Sequence, residues 1–382
     1  MAITYSLVPE DLGLNDPILV GAFMGWPDAA LGASGAVRFL IESLNATPLA
    51  TWDGDEYYDF VELRPVSRVV PPRDRILIWP QAEFWVARDV PVEPAADAPR
   101  ARPGGDDEEE AAGAAAEAPR RRSLVFFLAH EPRMRWRSYS RELVAFAQRC
   151  GVRQSAFFGA SFADVPHTRE PMVTGWATES RLSARMDALG INFSAYQGPS
   201  SMQSAAIEAC REAGIASASL FSNGPAYLTI PNANLSLALL RRFVALFQLG
   251  VDLKPLAEAA AALTRQVSAA IEERSDAEFR DHVRRLESRF DAESAPLAPG
   301  ELRRQQELEE EAAGEAADSG PPLNVDPQEV VRELEDFLRR RNTQRREDEG
   351  EADAPGDGPD GPGGDRPGGP GGDRPGPAGT DR

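Results

Sequence analysis

Gly159-Ala160-Ser161-Phe162-Ala163-Asp164-Val165-Pro166-His167-Thr168-Arg169-Glu170-Pro171-Met172-Val173-Thr174-Gly175 sets an acid, an imidazole and a guanidinium between two apolar runs. The first run, Ser155 to Phe162, leads into it. Pro166 and Pro171 forbid a continuous helix, because proline lacks the amide donor and clashes with the preceding turn. The residue before each proline is pushed to extended geometry. The stretch therefore reads as a buried strand, a stiff polar loop and a second strand. Polar side chains held on a loop at the end of a buried strand are where α/β proteins commonly place their sites.

Working outward, Leu124-Val125-Phe126-Phe127-Leu128-Ala129 is the strongest buried-strand signal, and Ile18-Leu19-Val20-Gly21-Ala22-Phe23 is a second. Met24-Gly25-Trp26-Pro27-Asp28 turns out of that strand. A helix to about Leu44 follows, with Ala36, Val37, Leu40, Ile41 and Leu44 on one face. Further helices are expected from Trp136 to Arg149, closed by Gly151, from about Glu179, from Gly198-Pro199-Ser200-Ser201 to about Ala213, and from Asn232 to Gly250. Ile215 to Phe221 reads as another strand. Strands alternating with helices point to an α/β fold. Residues 48–88 are different: Trp52, Tyr57, Tyr58, Phe60, Trp79, Phe84 and Trp85 mark short strands, expected as hairpins on the sheet edge and in part as a protomer interface.

The net charge of −20 over 382 residues needs partitioning. Residues 91–119 carry −6 and 291–382 carry −13, so the presumptive folded parts total only −1. Residues 91–119 are Pro, Ala, Gly and acid, a low-complexity insertion of the kind that stays disordered. Each doubling of such a loop costs only about 0.6 kcal/mol. Three domains are expected: 1–254 as the α/β body, 255–341 as a helical extension with an acidic linker at 291–325, and 342–382 as a disordered tail. Residues 255–290 read as two helices. Asp326-Pro327-Gln328-Glu329 has the capping acid and N1 proline of a helix start, and Val330, Val331, Leu334, Phe337 and Leu338 form a stripe behind it. Such a stripe needs a docking surface on this chain or on a partner.

No basic stripe stands apart from acids, so no nucleic-acid partner is expected. No apolar run reaches about 18 residues, and no membrane span is expected. The two cysteines, Cys150 and Cys210, make neither a disulfide framework nor a zinc spacing. With no secretory signal in view, a reducing, cytoplasmic setting is the expectation.

Three stretches resemble the bacterial, actinobacterial-type branch of the proteasome assembly chaperone 2 family. They are Gly25-Trp26-Pro27-Asp28-Ala29 with the helix behind it, the Gly159–Gly175 stretch, and Tyr196-Gln197-Gly198-Pro199 continuing to Ile215. The resemblance covers roughly residues 16–290, less the insertion. It implies a three-layer α/β/α domain with a mixed sheet, similar to the phosphorylase/hydrolase-like fold, and self-association into a homo-oligomer. It also implies a chaperone or scaffold role in protein assembly, with a protein client. Two features depart from the family pattern. Proteasome-binding relatives end in a hydrophobic residue, tyrosine and any residue, whereas this sequence ends Gly379-Thr380-Asp381-Arg382. Similar sequences read Pro-His-Tyr where this one reads Pro225-Ala226-Tyr227, so a role resting on that imidazole does not carry over.

The candidate ligand- or partner-binding residues are Trp26, Asp28, Asp164, His167, Arg169, Thr174 and Ser200. Asp164 would orient His167 while Arg169 holds an anion; alternatively the three pin the loop to its own backbone. Asp28 would bind an anion with the helix start, or cap that helix. Ser200 or Ser201 would act as a nucleophile only with a base and an oxyanion hole, and no Gly-x-Ser-x-Gly elbow is present; capping is the other reading. No catalytic set, metal site or cofactor is expected. The alternative function is a small-molecule binder or enzyme using the Asp164/His167/Arg169 loop.

Overall fold

The apolar runs become strands buried on both faces. In the computed structural model β2 (Ile18–Met24) pairs in parallel with β7 (Arg121–His130) on one side and β8 (Gln154–Ala163) on the other. Alternation sends successive side chains to opposite faces. Ile18, Val20 and Ala22 of β2 thus join Leu124, Phe126 and Leu128 of β7 in one core cluster. Leu19 and Phe23 join Val125, Phe127 and Ala129 in the other. A sheet covered on both sides explains why these segments carry unbroken apolar runs rather than alternating ones.

The structure describes residues 3–7, 12–93, 120–274 and 277–293. These fall within one compact unit, Met1–Ala295. The insertion expected over 91–119 and the linker expected over 291–325 both start later than read, because Pro91 ends a strand, Val92 bridges Leu249, and residues 291–293 close the helix Ala277–Glu293; residues 94–119, 294–325, the expected 326–341 helix and the tail lie outside the described residues.

Among the described residues the main sheet has nine strands in the order β1-β3-β6-β7-β2-β8-β11-β9-β10. Here β1 is Ile3–Tyr5, β3 Thr47–Asp53, β6 Gln81–Pro91, β9 Val173–Ala177, β10 Asn192–Phe193 and β11 Ala216–Pro225. β7, β2, β8 and β11 run parallel, while β1, β3 and β6 extend the sheet by antiparallel pairing. β9 pairs antiparallel with β11, so the sheet is mixed, as expected. The two strands of the Gly159–Gly175 stretch are not neighbours, because β11 lies between them.

Helices α1 (Gly32–Ser43) and α5 (Ala233–Phe247) cover one face, and α2 (Trp136–Arg149) and α4 (Met202–Glu212) cover the other. The three-layer α/β/α architecture follows. α3 (Ser180–Ala188) and α6 (Lys254–Arg274) add Leu182, Met186, Leu256 and Ala260 to the α1/α5 side. α7 (Ala277–Glu293) buries Val283 and Leu286. The two helices expected over 255–290 are thus present, and they belong to the same compact unit as the sheet.

Gly151 closes α2 with φ of 75°, the left-handed geometry glycine adopts freely. α5 departs from the sequence reading. It ends at Phe247, with Gln248 in the left-handed region at φ 56°, two residues before Gly250. Leu249 N–H bonds back to the Val244 carbonyl, and Leu249 itself is buried.

The 48–88 region divides. β3 and β6 are full members of the sheet, and Trp52, Tyr57 and Phe84 are buried with Tyr139 of α2 in an aromatic cluster. β4 (Val66–Val70) and β5 (Asp74–Ile78) stand apart as a two-stranded hairpin, paired with no other strand among the described residues.

Candidate functional site

All the residues singled out from sequence lie at one edge of the sheet, where β2, β7, β8 and β11 end and β9 begins. Open α/β sheets place their crevices at this carboxyl edge. The geometry resolves into two groups of side chains.

The first group surrounds the turn after β2. Asp28 is buried, and its Oδ1 accepts from the N–H groups of Ala33 (3.0 Å) and Ser34 (2.9 Å), while Oδ2 accepts from the Ser34 hydroxyl (2.6 Å). The carboxylate satisfies the orphan donors of the first turn of α1 from a position outside the helix, across a short 3-10 turn at Ala29–Leu31. Burial pushes the Asp28 carboxyl up, and the Ser34 hydroxyl and the two N–H groups offset part of that. Ala30 and Leu31 sit successively at φ 50° and 52°, a strained geometry for residues with side chains, and Leu31 is exposed. The turn is tied to the neighbouring strand by Ala160 N–H donating to the Pro27 carbonyl at 2.8 Å. Trp26, next to this anchored acid, is 63% exposed.

Glu131, the first residue after β7, was not singled out from sequence. Its carboxylate accepts from the N–H of Met202 at 2.7 Å and from the Trp26 backbone, joining the β2 turn to the start of α4. Burial raises its pKa, and those two N–H groups lower it. Ser201 takes the N-cap position of α4, but its side chain makes no capping bond, and Ser200 is exposed. Glu131 does the capping in its place. An acid two positions after the strongest apolar run, Leu124–Ala129, was the available signal.

The second group is the loop after β8. His167 is buried at 7% exposure. Its backbone N–H donates to the Tyr227 hydroxyl at 2.8 Å, and its Nδ1 lies 2.8 Å from the same oxygen. Its Nε2 lies 3.0 Å from Ser268 Oγ on α6. The tautomer that satisfies all three bonds has Tyr227 O–H donating to Nδ1 and Nε2–H donating to Ser268. Burial lifts the Tyr227 hydroxyl to about 12, which keeps it a donor. Burial also pushes the His167 imidazole below its usual value, partly offset by Glu287. The next two residues reach α7: the Thr168 hydroxyl donates to Glu287, and Arg169 forks onto Asp291 through Nε (2.7 Å) and Nη2 (2.8 Å). The Phe279 ring of α7 meets the Tyr227 ring edge-on at 5.4 Å.

Asp164 does not orient His167. Its side chain is exposed, and its backbone carbonyl accepts from Arg289 of α7. Thr174 lies on β9 in register with Phe221 of β11 and Asn192 of β10, partly exposed. The structure therefore brings His167, Thr168 and Arg169 together with Tyr227, Ser268, Glu287 and Asp291, and keeps Asp164 outside. A cleft of about 240 Å³ lies beside the loop, lined by His167, Arg169, Asn234, Arg241 and Thr264 among others. Arg241 faces Glu170 across it at 3.2 Å. Among the described residues no group of three or more His, Cys, Asp or Glu is arranged to hold a metal, and no helix is long and apolar enough to cross a membrane.

The fold and its edge define a three-layer α/β/α protein with a mixed sheet, a capped turn after its first central strand and a helix-clasping loop after its third. The model of the PAC2 family matches residues 22–271, and the chain belongs to that family. A PAC2 family protein of Streptomyces avermitilis is 32% identical, with a TM-score of 0.57 over 70% of this chain and 100% of its own. A proteasome-assembly chaperone homologue of Mycobacterium tuberculosis is 31% identical, with a TM-score of 0.56 over 70% of this chain and 99% of its own. A protein of unknown function from Corynebacterium glutamicum shares the fold at 20% identity, with a TM-score of 0.59 over 74% of this chain and 93% of its own. No curated protein sequence matches the chain.

Proposed function

We propose that this PAC2 family member is a self-associating assembly chaperone or scaffold whose carboxyl sheet edge receives a protein client. The observation that carries this reading is the apolar character of that edge. Trp26 follows β2, Leu31 ends the 3-10 turn after it, Met134 follows β7, Phe162 lies near the end of β8 and Ile230 follows β11, and all five are exposed. Large apolar side chains gathered on one rim mark a protein-binding surface more than a solvated one. Rigid support comes from beneath, through the Asp28 and Glu131 bonds. The likeness to a proteasome-assembly chaperone homologue agrees with a protein partner.

The test is affinity capture of the tagged full chain from its host, followed by mass spectrometry, beside a Trp26→Ser/Phe162→Ser variant. A defined protein set held by wild type and lost by the variant is expected. Identical catches from the two would overturn the reading.

The second reading, a small-molecule site, is favoured by the cleft beside His167. It ranks lower because Arg169 is already forked onto Asp291 and Arg241 faces Glu170, so neither cation stands ready for an anion. The cleft is also smaller than the roughly 300–1,000 Å³ usual for ligand pockets.

A further inference from the structure

α7 is held to the carboxyl rim mainly by polar contacts. Nine of its 17 residues are charged, and Val283 and Leu286 are the side chains it buries. α5, at 15 residues, buries nine. The grip of α7 on the loop after β8 consists of Thr168 donating to Glu287, Arg169 forking onto Asp291, and Arg289 donating to the Asp164 carbonyl. The Arg169 side chain is 34% exposed and that of Asp291 54%, and ion pairs so open to water hold weakly. Segments with few buried apolar contacts are the first to open. The loop itself does not share this looseness, since His167 fixes it from beneath to Tyr227 and Ser268.

What α7 touches is a ready-made receptor. Thr168 and Arg169 are adjacent on a rigid loop and take carboxylates four positions apart, one helical turn. The Asp164 carbonyl takes the arginine that lies between them in the helix. Phe290, on the same helix, lines a narrow cleft with Val165, Pro166, Asn223, Pro225 and Asn232, at the ends of β8 and β11. That cleft is continuous with the apolar rim, because Phe162 pairs in register with Gly224 there. An acidic helix seated in a groove by apolar and charged anchors a turn apart is a recurring mode of protein recognition. α7 has the form of such a ligand, supplied by the chain itself.

We propose that the loop after β8 is a docking surface for an acidic amphipathic helix of a partner protein, and that α7 occupies this surface until the partner's helix displaces it. The proposal rests on the reading of the rim as a client surface and adds the chemistry of what binds there and the contact that regulates it.

The test uses the full chain carrying Glu287→Arg/Asp291→Arg, which sets like charge against Arg169 and unseats α7. The acidic-helix probe is a fluorescein-labelled peptide of residues 277–293. Circular dichroism and the hydrogen-exchange protection of β2 and β7 should match wild type, while α7 loses at least about tenfold in protection. Where the double reversal costs the fold, Asp291→Ala takes its place. Fluorescence anisotropy should show the peptide binding the opened chain at least about tenfold more tightly than wild type, whose tethered α7 competes at high effective concentration. A peptide carrying Glu287→Arg/Asp291→Arg should not bind. Arg169→Glu also frees α7 yet should not take the peptide, because the receptor charge is itself reversed. In wild type, α7 should exchange at least about tenfold faster than α6.

Equal binding to wild type and the opened chain, or binding to neither, overturns the proposal. So does an α7 as protected as α6, which would make it a fixed part of the fold. Peptide binding by the opened chain, together with host catches that Trp26→Ser/Phe162→Ser leaves identical, overturns the client rim and leaves the docking surface standing. A client set lost with Trp26→Ser/Phe162→Ser, beside an opened chain that ignores the peptide, overturns the docking surface alone.

Discussion

Replacing Tyr227 by phenylalanine removes one oxygen and leaves the ring that packs against Phe279. That oxygen accepts from the His167 N–H and bonds Nδ1, each at 2.8 Å. Two bonds at a net of about 1 kcal/mol each are lost, and the orphaned buried N–H adds about 1–3 kcal/mol unless water enters. The expected destabilisation is about 3–5 kcal/mol, falling to about 2 kcal/mol where water satisfies the N–H. Urea unfolding of the full chain gives the number, read as a shift in midpoint at constant slope. Hydrogen exchange supplies the location. Protection should fall in the 164–172 loop and in α6, which reaches His167 through Ser268, while β2 and β7 keep theirs. A loss under about 0.5 kcal/mol with α6 protection unchanged would refute the idea that this hydroxyl anchors the loop to the C-terminal helices.

Other expectations follow from the same geometry. His167 is held neutral, so its folded pKa lies below the unfolded value of about 6.5, and the unfolded chain takes up the proton first. Stability is full above about pH 6.5 and falls as pH drops toward the folded pKa; His167→Ala should flatten that fall, with His130, also lowered by burial, keeping part of the slope. At Gly175→Ala the new Cβ would stand 2.1 Å from the Ser219 carbonyl oxygen, a backbone atom that moves only with β11. A cost of about 3 kcal/mol or more is expected in denaturant unfolding, or loss of soluble protein. Glu131→Ala strips the cap from Met202, and thermal unfolding should report a loss of about 1–2 kcal/mol with α4 fraying first under hydrogen exchange.

Much of the architecture was legible because burial on both faces leaves unbroken apolar runs, as at Ile18–Phe23 and Leu124–Ala129. Pro166 and Pro171 made the strand–loop–strand reading of Gly159–Gly175 nearly compulsory. What lay beyond reach is non-local. Nothing in the stretch itself says that β11 inserts between its two strands, since that order is set by pairings formed across the whole domain. β1 and β10, of three and two residues, are too short to carry a periodic pattern. The close of α5 moved to Gln248 because burying Leu249 and its bond to Val244 outweighed the intrinsic preference for glycine at Gly250. At the edge, Asp164, His167 and Arg169 look like one cluster by proximity in sequence. The loop instead turns His167 inward to Tyr227 and Ser268 and sends Arg169 to Asp291, 122 positions away. Glu287 and Asp291 stand one helical turn apart on α7, and that spacing was the one sequence-level sign of a matched receptor for Thr168 and Arg169.

The most direct measurement places a photo-crosslinking benzophenone side chain at position 26 of the full chain and irradiates it in the host cell. The control carries the same group at Glu208, exposed on α4 away from the rim. A rim that receives a protein client gives a discrete protein adduct from position 26 and none from position 208. Irradiation that leaves position 26 without any protein adduct beyond the position 208 background would contradict the account.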